Sequence, residues 1–133
     1  MNTARECIDK YLGIPYVHLG RTMAGLDCYG LIILVYKDLG FDLIDIVDYE
    51  KKWAAKGNDL IIENYQKQWV RVEEPKLFDT VVFRGMKGIA QHAGIFLGND
   101  KFLHCVDGPG VVVGNLNVNL YNQRIEGYFR IKQ

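Results

Sequence analysis

The stretch from Cys28 to Leu39, CYGLIILVYKDL, limits the fold more than any other part of the chain. It is apolar nearly all round, and a segment without a polar face must be covered on every side by the rest of the protein. A buried strand over LIILVY is the alternative. A run of this length closed by Gly40, at the position after a helix that favours glycine, predicts a helix instead. Asp27 stands where an N-cap is wanted and can accept a hydrogen bond from a backbone N–H of the first turn.

The cover for that helix is written in the second half. FDTVVFR, HAGIFLG, KFLHCV, GVVVG and EGYFRIK are short β-branched or aromatic runs separated by Gly, Asn and Asp, which predicts about five strands of an antiparallel sheet. A helix followed by strands predicts an α+β domain with the Cys28 helix packed on the sheet. Upstream, Ala4, Cys7, Ile8, Tyr11 and Leu12 share one helical face, and Gly13 with Pro15 stops that first helix. GIPYVHLGRTMAGLD reads as an extended loop, with His18 a solvated loop residue. Residues 45–68, with Tyr49, Trp53, Leu60, Ile61 and Tyr65, read as one or two polar surface helices interrupted at Gly57-Asn58. At 133 residues the chain can bury one core and not two, so a single domain over residues 1–133 is expected.

Charge and cysteine content narrow the functional classes. Sixteen basic and sixteen acidic side chains cancel, so the overall electrostatic pull of a nucleic-acid binder is missing and no nucleic-acid partner is expected. MNTARECIDKY has no apolar h-region and no later run reaches spanning length, which predicts a chain synthesised in the cytoplasm without a signal peptide and without a membrane partner. Three cysteines, Cys7, Cys28 and Cys105, form no CxxC and are odd in number. They fit neither a disulfide framework nor a zinc knuckle.

Cys28 carries the chemistry. A thiol in the first turn of a helix feels the unpaired N–H groups and the macrodipole, which favour its thiolate. Gly30 leaves space beside the sulfur for a substrate or for a packed strand. The bland alternative is a buried core cysteine, and it is the expected role of Cys7 and Cys105. What favours reactivity is a histidine pair. His92 opens one strand and His104 lies in the next, across Gly98-Asn99-Asp100. A three-residue loop there pairs Leu97 with Lys101 and sets His104 opposite Gly94, so both histidines share the side of the sheet facing Cys28. A two-residue loop would shift the register by one and part them. In the shared arrangement His92 takes the thiol proton, and His104 fixes its tautomer and ring angle. A zinc site from Cys28, His92, His104 and Cys105 is the minor rival. Strand neighbours 104 and 105 face opposite ways, so no more than three of the four could converge.

GIPYVHLGRTMAGLDCYGLIILVY followed by HAGIFLGNDKFLH resembles the NlpC-type family of bacterial and phage cell-wall cysteine peptidases, with a papain-like core. The motifs carrying the resemblance are Pro15-Tyr16, Asp27-Cys28-Tyr29-Gly30-Leu31, His92-Ala93-Gly94-Ile95 and His104; Leu77-Phe78-Asp79-Thr80-Val81 is similar to the strand before the first histidine. The resemblance implies Cys28 as nucleophile, His92 as general base and later acid, and His104 as third member. It implies that Tyr16 lines the site near the oxyanion and that Asp27 meets the amino group of the substrate, a role that competes with the plain cap. The implied substrate is the peptidoglycan stem peptide, cut between γ-D-glutamyl and a diamino acid, with no metal or cofactor. Tyr29, where many relatives have serine, and the ending IEGYFRIK look most like the phage tail-associated branch, which would make phage tail proteins partners and the virion a location besides the cell wall. The rivals are a related amidase or acyltransferase with the same triad, and a non-catalytic tail or assembly component.

Overall fold

The computed structural model describes residues 1–45, 68–85 and 90–133. The helices expected within 45–68 therefore lie outside the described residues, apart from their two end positions.

Helix α1, Ala4–Tyr11, starts as its sequence requires: Thr3 accepts the Glu6 N–H at 3.1 Å and its hydroxyl donates to the Glu6 carboxylate at 3.2 Å. Its buried face carries Cys7 and Tyr11. Helix α2, Cys28–Asp38, is capped by Asp27 and followed by Gly40 in the left-handed region, φ 95°. Tyr29, Gly30, Leu31, Ile32, Val35 and Tyr36 are all buried, as an apolar helix without a polar face requires.

The loop between the helices contains a two-stranded turn, β1 (Arg21–Thr22) and β2 (Gly25–Leu26). Among the described residues the main sheet has six antiparallel strands: β3 (Trp69–Val72), β4 (Thr80–Arg84), β5 (Ala90–Gly98), β6 (Lys101–Val106), β7 (Gly110–Asn115) and β8 (Ile125–Ile131), in the order β3-β8-β4-β5-β6-β7. A helical turn, α3 (Asn119–Asn122), precedes β8. The five expected strands are present. The sixth, β3, is four residues long and is defined by its pairing with β8, from Trp69↔Ile131 to Val72↔Tyr128.

The two faces of this sheet do different things. Val82, Ala93, Ile95, Leu97, Leu103, Cys105 and Val111 form the α2 side of the core. Val81, Phe83, Phe96, Phe102 and Leu116 form a second cluster on the other side, against Tyr121, Ile125 and Tyr128. The period-two alternation of a strand separates Leu103 and Cys105 from Phe102 and His104.

The β5–β6 hairpin corrects the turn expected from sequence. Only Asn99 and Asp100 bridge it, with φ 51° and 59°, the positive pair of a type I′ turn, and Gly98 pairs with Lys101. This two-residue turn does not part the histidines, because a bulge between Phe96 and Gly98 adds one residue and restores Phe96↔Phe102 and Ile95↔Leu103. Gly98, at φ 88°, supplies the left-handed residue that such a bulge uses. One step further this register brings Gly94 against His104, and a Cβ at 94 would stand 3.2 Å from the His104 Cβ.

Candidate active site

The start of α2 is held by a single buried carboxylate. Asp27 Oδ1 accepts the Gly30 N–H at 2.7 Å and the Arg21 guanidinium at 2.8 Å, while Oδ2 accepts the Leu19 N–H at 3.1 Å. Asp27 is 2 % exposed. The cap is thus present, and the carboxylate is enclosed by the protein's own donors. Arg21 also pairs with Asp45 at 3.0 Å. Sequence reading missed Arg21; a basic residue shortly before a capping aspartate in a glycine-rich loop is the signal that could have found it. Gly30 is fixed by close approach, because a Cβ there would lie 2.1 Å from the Gly20 carbonyl oxygen. Of the two uses foreseen for that space, a packed neighbour fills it.

Tyr16 reaches the same place by backbone pairing. The Leu26 N–H donates to Pro15 O at 3.0 Å and the Val17 N–H to Leu26 O at 2.9 Å, so Tyr16 is bridged to the residue just before Asp27-Cys28. Burial pushes its hydroxyl up to about 12, with further contributions from Cys28 and Asp27. It is a neutral donor at physiological pH. Tyr29 turns into the core, 3 % exposed, and its hydroxyl donates to the Ile44 carbonyl.

His92 and His104 are joined by a hydrogen bond, His92 Nε2 to His104 Nδ1 at 2.8 Å. His104 is buried between Phe102, His92 and Tyr121, with ring centroids 4.4, 5.1 and 5.5 Å away. His92 is half-buried against Phe83. Both rings therefore belong to the sheet face opposite α2, not to the side expected from sequence. Cys28 meets the same strand through its backbone. The β5–β6 ladder runs only from Ile95↔Leu103 to the turn, and below it the half-buried Cys28 thiol takes the backbone N–H of Ala93, the residue after His92. The helix start thus meets β5 at the level of the histidine.

Electrostatics also differ from the simple helix-terminus expectation. Burial pushes the Cys28 thiol up to about 12, with the Asp27 charge adding to the effect, although the Ala93 N–H and Arg21 oppose it. Burial holds His92 down to about 4 and His104 to about 3. At neutral pH the Cys28 thiol and both imidazoles are therefore uncharged. Cys105 is buried on the α2 side and donates to Leu26 O at 3.0 Å, so it is not on the histidines' face. Among the described residues no group of three or more His, Cys, Asp or Glu converges as a metal ion would need.

The chain as a whole has known relatives. The profile of the NlpC/P60 family matches residues 13–130. The chain belongs to the NlpC/P60 family. It is 28 % identical over 116 residues to the probable peptidoglycan endopeptidase LytE of Bacillus subtilis, covering 87 % of this chain and 30 % of that one. It is 27 % identical over 122 residues to murein DD-endopeptidase MepS/murein LD-carboxypeptidase of Escherichia coli K12, covering 88 % and 57 %. It is 27 % identical over 130 residues to γ-D-glutamyl-L-lysine dipeptidyl-peptidase of Bacillus subtilis, covering 92 % and 39 %. The chain thus spans only part of the length of these relatives. Among solved structures, an NLP/P60 protein of Staphylococcus aureus superposes with a TM-score of 0.73 at 22 % identity, covering 98 % of this chain and 41 % of that one. The NlpC/P60 domain of peptidoglycan hydrolase SagA gives 0.61 at 24 %, covering 98 % and 97 %. The α+β fold of NlpC/P60 domains is therefore the fold of this chain.

Proposed function

We propose that this chain is a cysteine endopeptidase that hydrolyses amide bonds in peptidoglycan stem peptides, at the bond between γ-D-glutamyl and a diamino acid, with Cys28, His92 and His104 as its triad. The observation that carries the reading is the 2.8 Å bond between His92 and His104, with the Cys28 thiol held by the backbone N–H of Ala93, the residue after His92. The relatives named as a probable peptidoglycan endopeptidase and a γ-D-glutamyl-L-lysine dipeptidyl-peptidase support the substrate class.

The base role of His92 selects the tautomers on this hydrogen bond. For His92 to receive the thiol proton on Nδ1, its Nε2 must carry hydrogen and donate to His104 Nδ1, which leaves the His104 proton on Nε2. Because thiol and imidazole rest neutral, proton transfer from sulfur to His92 Nδ1 accompanies formation of the S–C bond. The Cys28 backbone N–H and the Tyr16 hydroxyl are the donors for the oxyanion. The C–N bond then breaks as His92 returns its proton to the leaving amine. Water attacks the thioester, giving a proton to His92 that passes to the departing thiolate. Asp27 acts through its cap and Arg21 pair, which fix the nucleophile. A place in a phage tail rests on the sequence resemblance.

Digestion of purified peptidoglycan, with mass spectrometry of the fragments, tests the reading. The wild type should release fragments with new γ-D-glutamyl ends and Cys28→Ala none. Equal release by both proteins would eliminate the triad, and no release by either would favour a non-catalytic role.

A further inference from the structure

Cys105 is a buried free thiol that the peptidase chemistry does not use, and it lies on the side of the sheet that α2 covers. Two contacts bring it towards Cys28. Its S–H donates to the Leu26 carbonyl at 3.0 Å, two residues before Cys28 in the segment that leads into the helix. The Cys28 thiol in turn takes the backbone N–H of Ala93. The register that pairs Ile95 with Leu103, continued through the close approach of Gly94 to His104, sets Ala93 against Cys105. Ile95, Ala93, Leu103 and Cys105 all belong to the core on the α2 side, as that alternation requires. Electrostatics agree with this placement. Burial first and the Asp27 charge next push both thiols up to about 12, and Cys28 feels Cys105 as well. Cys7, on α1, is raised by burial and by Asp38 instead.

We propose that Cys28 and Cys105 form a reversible oxidation site, with a peroxide as the oxidant and Cys105 as the resolving thiol. The Cys28 sulfur, the more exposed of the pair, attacks one peroxide oxygen. The O–O bond breaks, the sulfur is oxidised to a sulfenic acid, and the thiol proton leaves with the reduced hydroxide as water. Cys105 then turns from the Leu26 carbonyl and attacks the Cys28 sulfur. An S–S bond forms as the S–O bond breaks, and the departing hydroxyl takes the Cys105 proton as a second water. Two thiols and one peroxide thus give one disulfide and two waters. Cys28 then has no thiol with which to attack an amide, and it is spared the irreversible step to sulfinic acid, while a dithiol reductant returns both thiols. Formation of the bond stands apart from the proposed function; only its effect on peptidoglycan cleavage rests on that reading.

Trypsin places Cys7, Cys28 and Cys105 in separate peptides, so the linkage can be mapped directly. The purified wild type is treated with hydrogen peroxide in mildly alkaline buffer, alkylated, digested without reductant and analysed by mass spectrometry. The monomer should lose two hydrogens, the Cys28 and Cys105 peptides should be joined, and Cys7 should carry the alkyl group. Fragment release from peptidoglycan should fall in step with the joined peptides and return with dithiothreitol. Cys105→Ala, active before treatment, should instead accumulate sulfinic acid at Cys28 and recover no activity with dithiothreitol. The proposal is overturned by a wild type in which Cys28 reaches sulfinic acid while Cys105 is still alkylated, by a link through Cys7 or between chains, or by equal recovery in wild type and Cys105→Ala. The wild-type map decides even where Cys105→Ala does not fold. A wild type that joins Cys28 to Cys105 yet releases no fragments before oxidation keeps the disulfide and removes the proposed function alone. One that releases fragments but never forms the joined peptide overturns the disulfide alone.

Discussion

Cys28 is a helix-start thiol whose burial outweighs its helix. At 2 % exposure the Asp27 carboxylate beside it is enclosed, and with the sulfur half-buried the thiolate lacks the solvation that would stabilise it. With the thiol pushed up to about 12 and His92 down to about 4, iodoacetamide labelling of Cys28 should accelerate steadily into alkaline pH. A rate plateau below pH 7 would reveal a preformed thiolate–imidazolium pair and overturn the neutral resting state. Asp27 makes a second residue-scale prediction. Asp27→Ala removes a cap and leaves Arg21 facing a gap, and should destabilise the fold by about 2–4 kcal/mol in urea titration. Asp27→Asn keeps the acceptor for Gly30 and should cost less. Equal losses would mean that the hydrogen bond to Gly30 contributes little.

At the scale of elements, the β5–β6 hairpin decides whether the histidines meet. Their pairing was legible because Asn99-Asp100 and period-two alternation are local signals, yet the route was not. The I′ turn and the bulge each shift the register by one, and their cancellation depends on how β5 lies against both β4 and β6. For the same reason β3 was hidden: WVRV has no turn glycine before it, and only pairing with β8 makes it a strand. The α2 helix was readable from its composition and its cap. The side of the sheet occupied by the histidines was not, because it depends on which strand face α2 covers. Deleting Gly98 tests the register account. Leu97-Asn99-Asp100-Lys101 would form a two-residue turn without a bulge and pair Leu97 with Lys101, the same outward register. This deletion should retain most activity and cost no more than about 1 kcal/mol. Activity as low as in Cys28→Ala would refute it.

Across the whole molecule, buried neutral groups narrow the pH range of stability. His92 and His104 bind protons only near pH 4 and 3 when folded, whereas the unfolded chain takes them up from about pH 6.5. The unfolded state then holds more protons, so stability falls as pH drops through that window. Cys7, Cys28 and Cys105 are raised from 9.0 to about 12, so the unfolded chain loses protons first above about pH 9 and stability falls there too. The thermal midpoint should therefore peak between these limits, and His104→Phe should flatten the acid limb. An unchanged limb would place the acid sensitivity elsewhere. Finally, the loop that carries Tyr16 begins on the outermost strand: the Gly13 N–H donates to Val111 O and the Val111 N–H to Ile14 O, both at 2.9 Å. Gly110 permits this approach, since a Cβ there would lie 2.3 Å from Ile14 O. The outward N–H and C=O of Val111 are thus taken, so edge-to-edge stacking of a second chain is blocked at that end of β7 by the segment that leads on to Tyr16.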